Sequence, residues 1–313
     1  MTSRTDGPRW PNLFIVGAPK AGTTTLHDAL AAHPEVFMSA TKEPHYFSSV
    51  AAIDQRLEYL PVIRTESEYL RLFRNSGSRR YVGESSTSYL WDAGACRRIS
   101  SKVPDGRVIA LLRDPVARAY SHYLNNVREG FERRTFIDAL REEVAGRFRE
   151  PWHLSYIGCS SYPRQVERYA QAFGDALLVI EFERMVRDGV TVCAELGLAL
   201  GLSEPLQASS LGAQNPYAVP VRGFGSLVFH NQHLRRLARR VTPSPARQAA
   251  RKAVLRRAPK PELEPDARAL LVELFGGMSV ELTRCVGFKP SWDFDAGREA
   301  TWSEATPDDD AVL

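Results

Sequence analysis

The chain has 313 residues, 43% of them hydrophobic and 25% charged, a composition typical of globular proteins and unlike that of disordered or fibrous chains. The formal net charge of +4 is a mild basic bias that suits an anionic ligand without requiring nucleic acid. No apolar run is long enough to span a bilayer, and the first twelve residues lack the apolar core of a signal peptide, so a cytoplasmic location is expected. The four cysteines, at positions 96, 159, 193 and 285, are scattered without a CxxC pair, which predicts small buried side chains and neither a zinc site nor a disulfide framework.

The first predicted element is a buried strand that leads through a glycine-containing loop into a helix. Residues 13–16 form a continuous apolar run, and helical spacing begins at Thr23. The N–H groups of the first helical turn then face the loop, where the helix dipole favours an anion. Gly17 and Gly22 permit tight turns, and Lys20 adds a positive charge. The loop is therefore predicted to hold a phosphate group, against the alternative of a Gly-rich turn without a ligand.

This loop differs from the P-loop of nucleoside triphosphatases, G-x-x-x-x-G-K-[ST], in the position of its lysine. Lys20 comes two residues before Gly22, and Thr23 stands where that motif requires lysine. The hydroxyls of Thr23, Thr24 and Thr25 supply further donors. ATP or GTP hydrolysis is thus disfavoured, and an ATP-dependent small-molecule kinase with an atypical P-loop is kept as the alternative enzyme.

Strands and helices alternate along the rest of the chain. Predicted strands cover residues 36–38, 81–83, 107–112 and 176–181, and predicted helices cover residues 93–103, 115–128, 162–173, 185–198 and 266–285. This order predicts an α/β fold with a three-layer parallel sheet flanked by helices. Ligands in such sheets bind at the carboxyl ends of the strands. We expect a flexible N-terminus at residues 1–11, a single domain at 12–298 and an acidic, disordered tail at 299–313.

A second candidate anion site follows the strand at residues 107–112. Arg113 comes directly after it, an Asp-Pro turn opens the next helix, and Ser121 lies two helical turns further on. This spacing places the guanidinium and the hydroxyl where they can hold a second phosphate. The alternative is a structural salt bridge at the Arg-Asp-Pro turn.

Taken together, GAPKAGTTTL at residues 17–26 and LLRDPVARAYSHY at residues 111–123 resemble the two nucleotide-binding signatures of sulfotransferases that use 3′-phosphoadenosine 5′-phosphosulfate (PAPS). The bacterial branch of that family is similar to the heparan sulfate sulfotransferase domain. Further matching segments are TKEPHYF, GESSTSYL, PVRGFGSL and FKPSWD, so that the resemblance covers roughly residues 12–294. It implies a P-loop-like sulfotransferase fold, PAPS as donor, PAP (adenosine 3′,5′-bisphosphate) as product, and no metal.

The resemblance also implies roles for individual residues. The first loop would hold the 5′-phosphosulfate through Ala18, Pro19, Lys20, Ala21, Gly22, Thr23, Thr24 and Thr25. The second loop would hold the 3′-phosphate through Arg113 and Ser121. A later loop that contains Arg222 and Gly223 would close over the 3′-phosphate. In TKEPHYF, Glu43 would be the general base that takes the proton of the acceptor hydroxyl, with His45 as the rival base. Because proline follows, Glu43 is expected to have an extended backbone and to project from its loop. Lys20 would stabilise the charge on the leaving oxygen, and Lys42 would bias the charge of Glu43 or touch the sulfonate.

The acceptor is less well specified. Aromatic residues close to the motifs hint at a planar or apolar acceptor, and the candidates for acceptor contact are Lys42, His45, Tyr46, Phe47, Glu84, Ser85, Tyr89, Trp152 and Tyr156. Trp152 and Tyr156 follow a predicted mobile insertion at residues 131–150, and core packing is the alternative for both. Glycosaminoglycan-type enzymes often carry lysine where this chain has Ser85, which puts a highly sulfated polysaccharide acceptor in doubt. Glu84 is open to two readings, orientation of a loop or packing near a basic residue.

Ten basic residues crowd residues 235–260. The main interpretation is a solvated helical face, and the alternatives are attraction of an anionic acceptor, peripheral contact with a membrane surface, or nucleic-acid binding. No aromatic residue interrupts the run, which disfavours stacking on bases. The expected partner is a hydroxyl-bearing small molecule, glycan or lipid, with no prediction of oligomeric state. A non-catalytic anion-binding protein is the third hypothesis, and a steep salt dependence of binding would distinguish it.

Overall fold

A computed structural model of the chain describes residues 9–49, 62–147, 154–211, 218–220, 255–292 and 294. Five parallel strands form the central sheet: β1 (Leu13–Gly17), β2 (Val36–Met38), β3 (Tyr81–Ser85), β4 (Arg107–Leu112) and β5 (Leu177–Glu181). Their spatial order is β2-β3-β1-β4-β5. This arrangement confirms the predicted parallel α/β fold.

Strand order places a crevice at the carboxyl end of β1. The chain leaves β1 toward β2 on one side of the sheet, whereas it leaves the neighbouring strand β4 toward β5 on the other side. Loops that follow two adjacent strands with opposite crossovers diverge and leave room for a ligand. The two predicted anion loops are the ones that follow β1 and β4.

Eleven α-helices of the described residues accompany the strands. They are α1 (Thr23–Ala31), α2 (Glu66–Arg71), α3 (Ser88–Trp91), α4 (Ala93–Lys102), α5 (Pro115–Glu129), α6 (Phe136–Val144), α7 (Tyr162–Phe173), α8 (Phe182–Arg187), α9 (Gly189–Ala199), α10 (Pro265–Leu274) and α11 (Met278–Val286). Short 3₁₀ turns lie at Gly158–Ser160, Gly174–Ala176 and Ala208–Leu211. Helix α1 packs on the β2–β3 side of the sheet and α7 on the β4–β5 side.

The two central strands carry the core. Every residue of β1 is buried, and so is every residue of β4 after Arg107. Continuous apolar runs of this kind are typical of parallel strands covered on both faces. Strand β5 lies at the edge and is half-buried up to Glu181. The sheet therefore gives the loops at its carboxyl end a rigid base.

Several predicted boundaries were wrong. The predicted helix at residues 185–198 is divided into α8 and α9 at Asp188, whose side chain accepts a hydrogen bond from the N–H of Thr191. The predicted helix at residues 266–285 is divided into α10 and α11 before Gly277, which has a φ of 80°. The predicted mobile insertion at residues 131–150 contains α6, whose first turn is capped by Thr135.

The later part of the chain adds two short strands. Strands β6 (Ala218–Pro220) and β7 (Leu255–Arg257) pair in antiparallel fashion. The described end of the basic segment is thus a strand where a helical face was expected, and residues 235–254 lie outside the described residues. Cys96, Cys159 and Cys193 are buried as predicted, whereas Cys285 is only partly buried. Within the described ranges, no helix is both long and apolar enough to cross a membrane.

Candidate active site

The first loop ends at an uncapped helix. Gly22 is the N-cap of α1, with a φ of 86°, and no side chain caps the first turn. A Cβ at this position would lie 2.8 Å from the ring of Phe182 and 2.9 Å from Met185. Glycine is thus required both for its backbone conformation and for space. The N-terminus of α1 is left with backbone donors directed at the loop, as the sequence predicted.

The remaining residues of this loop differ in exposure. Ala18, Pro19 and Ala21 are buried, while Lys20 is half-buried with a φ of 69°. Among the three threonines, Thr23 and Thr25 are buried and Thr24 is partly exposed. Of the first four residues, Lys20 is thus the one whose charged side chain is accessible to a ligand.

The two predicted anion loops are in direct contact. Arg113 donates a hydrogen bond of 2.9 Å from Nη1 to the backbone carbonyl of Lys20. Lys20 Nζ lies 3.3 Å from Oδ1 of Asn125 on α5. Asn125 is four residues after Ser121, so the two side chains share one face of the helix. Arg113 and Asn125 thus both contact Lys20, and Ser121 lies on the helix face that carries Asn125.

Arg113 also carries an unsatisfied donor. Its Nε is buried and makes no hydrogen bond to the described residues, and the nearest carboxylate oxygen, on Glu183, is 3.9 Å away. The guanidinium carbon lies 4.7 Å from the centre of the Phe182 ring. Buried donors without a partner are rare in folded proteins, and an anionic ligand in the cleft would satisfy this one.

Glu43 lies in the loop after β2 and accepts several hydrogen bonds. Its Oε2 accepts from the N–H of Thr87 at 2.8 Å and from the Thr87 hydroxyl at 3.2 Å, while Oε1 lies 3.1 Å from Nζ of Lys42. The prediction of an extended backbone was wrong, because Glu43 has a φ of 59°. The reason is tertiary: its N–H donates to the carbonyl of Ser85 at 2.8 Å, and Thr87 holds the carboxylate.

Opposing effects set the pKa of Glu43. Burial favours the neutral acid, but the charge of Lys42, the neighbouring His45 and the N–H of Thr87 more than offset it, so the pKa lies below the usual glutamate value. The carboxylate is therefore ionised at neutral pH and able to accept a proton. About 25% of its side chain is exposed, which leaves an approach open for a substrate.

His45 is close to Glu43 but better enclosed. Its Nε2 lies 3.6 Å from Oε2 of Glu43, and its Nδ1 is 2.7 Å from the hydroxyl of Ser88. Burial and the nearby Lys42 charge lower the pKa of His45, against an opposing effect of Glu43. A neutral imidazole with only 5% of its side chain exposed is less accessible to an acceptor than Glu43.

Lys42 connects the loop of Glu43 to the first anion loop. Its Nζ is 3.1 Å from Oε1 of Glu43 and 3.3 Å from the hydroxyl of Thr23. The carboxylate and the N-terminus of α1 are consequently separated by a single ammonium group. This arrangement brings a candidate base to the place where the first loop would hold its anion.

Four residues predicted to contact an acceptor are instead buried inside the protein. Glu84, Ser85, Tyr89 and Tyr156 have no exposed surface. The Tyr156 hydroxyl donates to Glu132 at 3.0 Å, which supports the core-packing alternative. We therefore do not retain these four as direct acceptor contacts.

Tyr46 and Phe47 belong to an aromatic cluster beside the Glu43 loop. The Tyr46 ring stacks on Tyr69 with centroids 4.2 Å apart, and Phe47 meets Tyr46 edge-on at 4.9 Å. Tyr46 is half-buried and Phe47 is buried. Of this pair, Tyr46 is thus the one with exposed surface beside the Glu43 loop. Trp152, Arg222 and Gly223 lie outside the described residues.

Sequence reasoning missed three contributors to the cleft. Asn125 contacts Lys20, Thr87 holds Glu43, and Phe182 packs against both Gly22 and Arg113. Only Asn125 had a usable signal, its spacing of four residues from Ser121 on a predicted helix. Within the described ranges, no group of three or more His, Cys, Asp or Glu residues is arranged to hold a metal ion.

The chain is similar to several known proteins. The solved structure of a sulfotransferase from Alicyclobacillus acidocaldarius matches with a TM-score of 0.68 and 28% identity, over 90% of this chain and 98% of that one. Human carbohydrate sulfotransferase 15 is 33% identical over 154 residues, which cover 36% of this chain and 27% of that protein. Human heparan sulfate glucosamine 3-O-sulfotransferase 3B1 is 28% identical over 180 residues, which cover 57% of this chain and 43% of that protein.

This chain therefore spans less than half the length of these two curated relatives. The sequence profile described as "Sulfotransferase family" matches residues 11–205, which is more than half of the chain and includes both anion loops and the Glu43 loop. The chain belongs to the sulfotransferase family.

Proposed function

We propose that this chain is an O-sulfotransferase that transfers the sulfonate group of PAPS to a hydroxyl group of a small-molecule, glycan or lipid acceptor. The observation that carries the proposal is the contact between the two anion loops, in which Arg113 bonds the carbonyl of Lys20. One ligand with two separated anionic groups would fit a cleft built in this way. PAPS is such a ligand, because it carries a 3′-phosphate and a 5′-phosphosulfate.

The residues present suit this donor. The uncapped N-terminus of α1 and the Lys20 side chain would hold the 5′-phosphosulfate. The buried Nε of Arg113 lacks a hydrogen bond within the described part of the chain, and together with Ser121 it would take the 3′-phosphate. Lysine, arginine and backbone donors would thus supply the positive charge around the anionic groups.

Glu43 is the proposed general base. Its pKa is held below the usual value, so it is ionised and can accept the proton of an acceptor hydroxyl. The donor supplies an electrophilic sulfur and a phosphate leaving group. When the acceptor oxygen bonds to sulfur, the bond between sulfur and the phosphate oxygen breaks, and Lys20 with the loop N–H groups stabilises the charge left on that oxygen.

Lys42 is proposed to change partners during this reaction. It lies between Glu43 and Thr23, within hydrogen-bond distance of both. An incoming sulfonate would compete with Glu43 for the ammonium group, and loss of that interaction would make the carboxylate a stronger base. His45, neutral and 3.6 Å from Glu43, would orient the carboxylate.

A sugar hydroxyl is the acceptor class that the relatives favour. The names of both human relatives above refer to carbohydrate or heparan sulfate acceptors. Ser85 is a departure, because it occupies the position at which glycosaminoglycan-type enzymes often carry lysine, and it is buried against His27 at 2.8 Å. We therefore propose an acceptor with few negative charges, with the ring of Tyr46 beside it.

Calorimetry with PAP tests the donor site directly. We expect the wild-type protein to bind PAP, and we expect Lys20→Ala to weaken this binding strongly. Arg184→Ala serves as the control, because Arg184 is an exposed arginine paired with Glu195 outside the cleft. Absence of PAP binding by the wild-type protein would refute the proposal.

A screen of candidate alcohols with radiolabelled PAPS tests the reaction itself. The expected product gains the mass of one sulfonate group. Glu43→Ala should nearly abolish turnover while leaving PAP binding intact, because Glu43 acts on the acceptor side of the cleft. Product formation that instead requires ATP and magnesium would identify a kinase and contradict the proposal.

A further inference from the structure

Glu84 is a buried acid on β3, an interior strand of the sheet. It lies near the carboxyl end of β3, in register with Phe14 of β1, and has no exposed surface. Burying a carboxylate among apolar strands is costly, and its hydrogen-bond partners in the described structure are hydroxyl groups, not cations. Tyr69 and Tyr89 donate to Oε1 at 2.8 and 2.7 Å, and Ser86 donates to Oε2 at 2.8 Å.

Two of these hydroxyls also contact the loop that contains Glu43. The Ser86 hydroxyl accepts a hydrogen bond from the backbone N–H of His45 at 3.1 Å. The Tyr89 hydroxyl accepts one from the N–H of Phe47 at 3.2 Å. Each hydroxyl thus stands between Glu84 and a backbone donor of the loop.

The chemistry of the carboxylate determines the direction of these bonds. An ionised carboxylate can only accept hydrogen bonds, so the protons of both hydroxyls must point toward Glu84. Their lone pairs then face away from Glu84 and toward the N–H groups of His45 and Phe47. An amide at position 84 would present donors as well, and at least one hydroxyl would lose this fixed orientation.

The loop needs such support because its backbone is unusual. Glu43 has a φ of 59° and His45 a φ of 53°, a region that side-chain-bearing residues rarely occupy. The N–H of Glu43 donates to the carbonyl of Ser85 at 2.8 Å, which adds a third bond to those of His45 and Phe47. Alternate N–H groups of the loop are therefore held by one segment, residues 85–89, and two of those three bonds depend on hydroxyls that Glu84 orients.

We propose that Glu84 is a positioning residue that fixes the loop of Glu43 and His45 through the hydroxyls of Ser86 and Tyr89. Its catalytic consequence rests on the proposed function, whereas its structural consequence does not. Displacement of a base by about 1 Å commonly costs on the order of 10²-fold in rate. A carboxylate that never touches the substrate thus contributes to turnover through the loop.

Amide hydrogen exchange tests the structural consequence without any substrate. Ser86→Ala should accelerate exchange of the His45 amide, and Tyr89→Phe that of the Phe47 amide, each by roughly 3- to 30-fold. The measurement is made at about pH 8.5, so that Glu84, whose pKa burial raises to about 7, is ionised. Tyr81→Phe is the matched control, because Tyr81 is at the other end of β3 and its buried hydroxyl bonds the carbonyl of Leu200.

Steady-state kinetics with PAPS and an acceptor from the screen test the catalytic consequence. Ser86→Ala and Tyr89→Phe should lower kcat about tenfold or more while the KM for PAPS stays within about twofold, since the donor loops are not altered. Glu84→Gln should lower kcat in the same way, and Glu84→Asp should not restore it, because the shorter side chain does not reach both hydroxyls. Tyr81→Phe should keep the wild-type kcat.

Two results would overturn the inference. One is unchanged exchange of the His45 and Phe47 amides in Ser86→Ala and Tyr89→Phe, and the other is an equal acceleration in Tyr81→Phe. Ser86→Ala and Tyr89→Phe test the inference even where Glu84→Gln fails to fold. A wild-type protein that does not bind PAP refutes the proposed function but leaves the exchange result valid, so the two failures are distinguishable.

Discussion

Arg113 donates a hydrogen bond of 2.9 Å to the backbone carbonyl of Lys20, which lies 93 residues earlier in the chain. This bond joins the loop after β1 to the loop after β4 at the point where the crossovers of the sheet diverge. We therefore expect a displacement of one loop to displace the other. A doubly anionic nucleotide would bind a site that is already assembled, which reduces the ordering cost of binding.

Substitution of Arg113 tests this coupling. Arg113→Lys keeps the charge but loses the planar guanidinium, whose Nη1 bonds the Lys20 carbonyl and whose Nε is proposed to take the 3′-phosphate, so we expect PAP affinity to fall about 10- to 100-fold. Arg113→Ala should cost more, since it also removes the charge. Calorimetry with PAP measures both, with Arg184→Ala as the reference for loss of a surface arginine. Wild-type affinity in Arg113→Lys would contradict the proposed role of the guanidinium in the donor site.

Glu43→Gln tests the general base without changing the size of the side chain. We expect kcat to fall by about 10² to 10⁴, because an amide cannot accept the acceptor proton. PAP binding should stay near the wild-type value. Glu195→Gln is the control, an exposed glutamate on α9 that pairs with Arg184. Equal turnover of Glu43→Gln and the wild-type protein would remove Glu43 from the mechanism.

Gly22 and Gly146 both have positive φ, and their alanine variants distinguish the cost of backbone strain from the cost of steric overlap. Gly22→Ala puts a Cβ 2.8 Å from the Phe182 ring, whereas a Cβ at Gly146, with a φ of 64°, meets nothing within 4 Å. We expect Gly146→Ala to lower the free energy of unfolding by about 1 kcal/mol, and Gly22→Ala by about 2–4 kcal/mol together with loss of PAP binding. Urea unfolding measures both, and equal losses would show that the ring of Phe182 moves aside freely.

Two buried groups make opposite contributions to stability as pH changes. Burial raises the pKa of Glu84 to about 7, and burial with the Lys42 charge lowers the pKa of His27 to about 4. Between about pH 4.5 and 7 the folded state keeps a proton on Glu84 that the unfolded state loses, so this group lowers stability as pH rises. Between about pH 4 and 6.5 the unfolded state protonates His27 and the folded state does not, so this group raises stability as pH rises.

The two contributions, about 3 kcal/mol each, should nearly cancel from about pH 4.5 to 6.5. In Glu84→Gln only the contribution of His27 remains, so we expect the free energy of unfolding of this variant to rise with pH in this range. His27→Gln should show the reverse, a decrease that continues to about pH 7. Urea unfolding at a series of pH values measures both slopes. Parallel profiles for the two variants would contradict the assignment.

The sequence correctly predicted the parts of the molecule that depend on residues close together in the chain. Continuous apolar runs located β1 and β4, and the residues that follow them supplied both anion loops. Three helices were missed, α2, α3 and α6, although α2 and α6 each carried a capping signal, Thr65 before Glu68 and Thr135 before Asp138. Of these helices, only α6 lies within the predicted mobile insertion at residues 131–150.

Other features depend on contacts between distant residues and left no local signal. Glu84 became a buried acid because Tyr69, Ser86 and Tyr89 converge on it, and a strand sequence does not show which hydroxyls will do so. Glu43 has a left-handed backbone, against the preference imposed by the following proline, because residues 85–87 hold its N–H and carboxylate.

Three non-glycine residues of the described chain have positive φ, namely Lys20, Glu43 and His45, and all three belong to the proposed site. Glycine would adopt these conformations with less strain, by about 1 kcal/mol at each position. Selection for thermal stability alone would then favour glycine at these positions and eliminate the proposed reaction. Any effort to stabilise this protein should hold these three positions constant, because there the more stable sequence and the sequence suited to the proposed function are different.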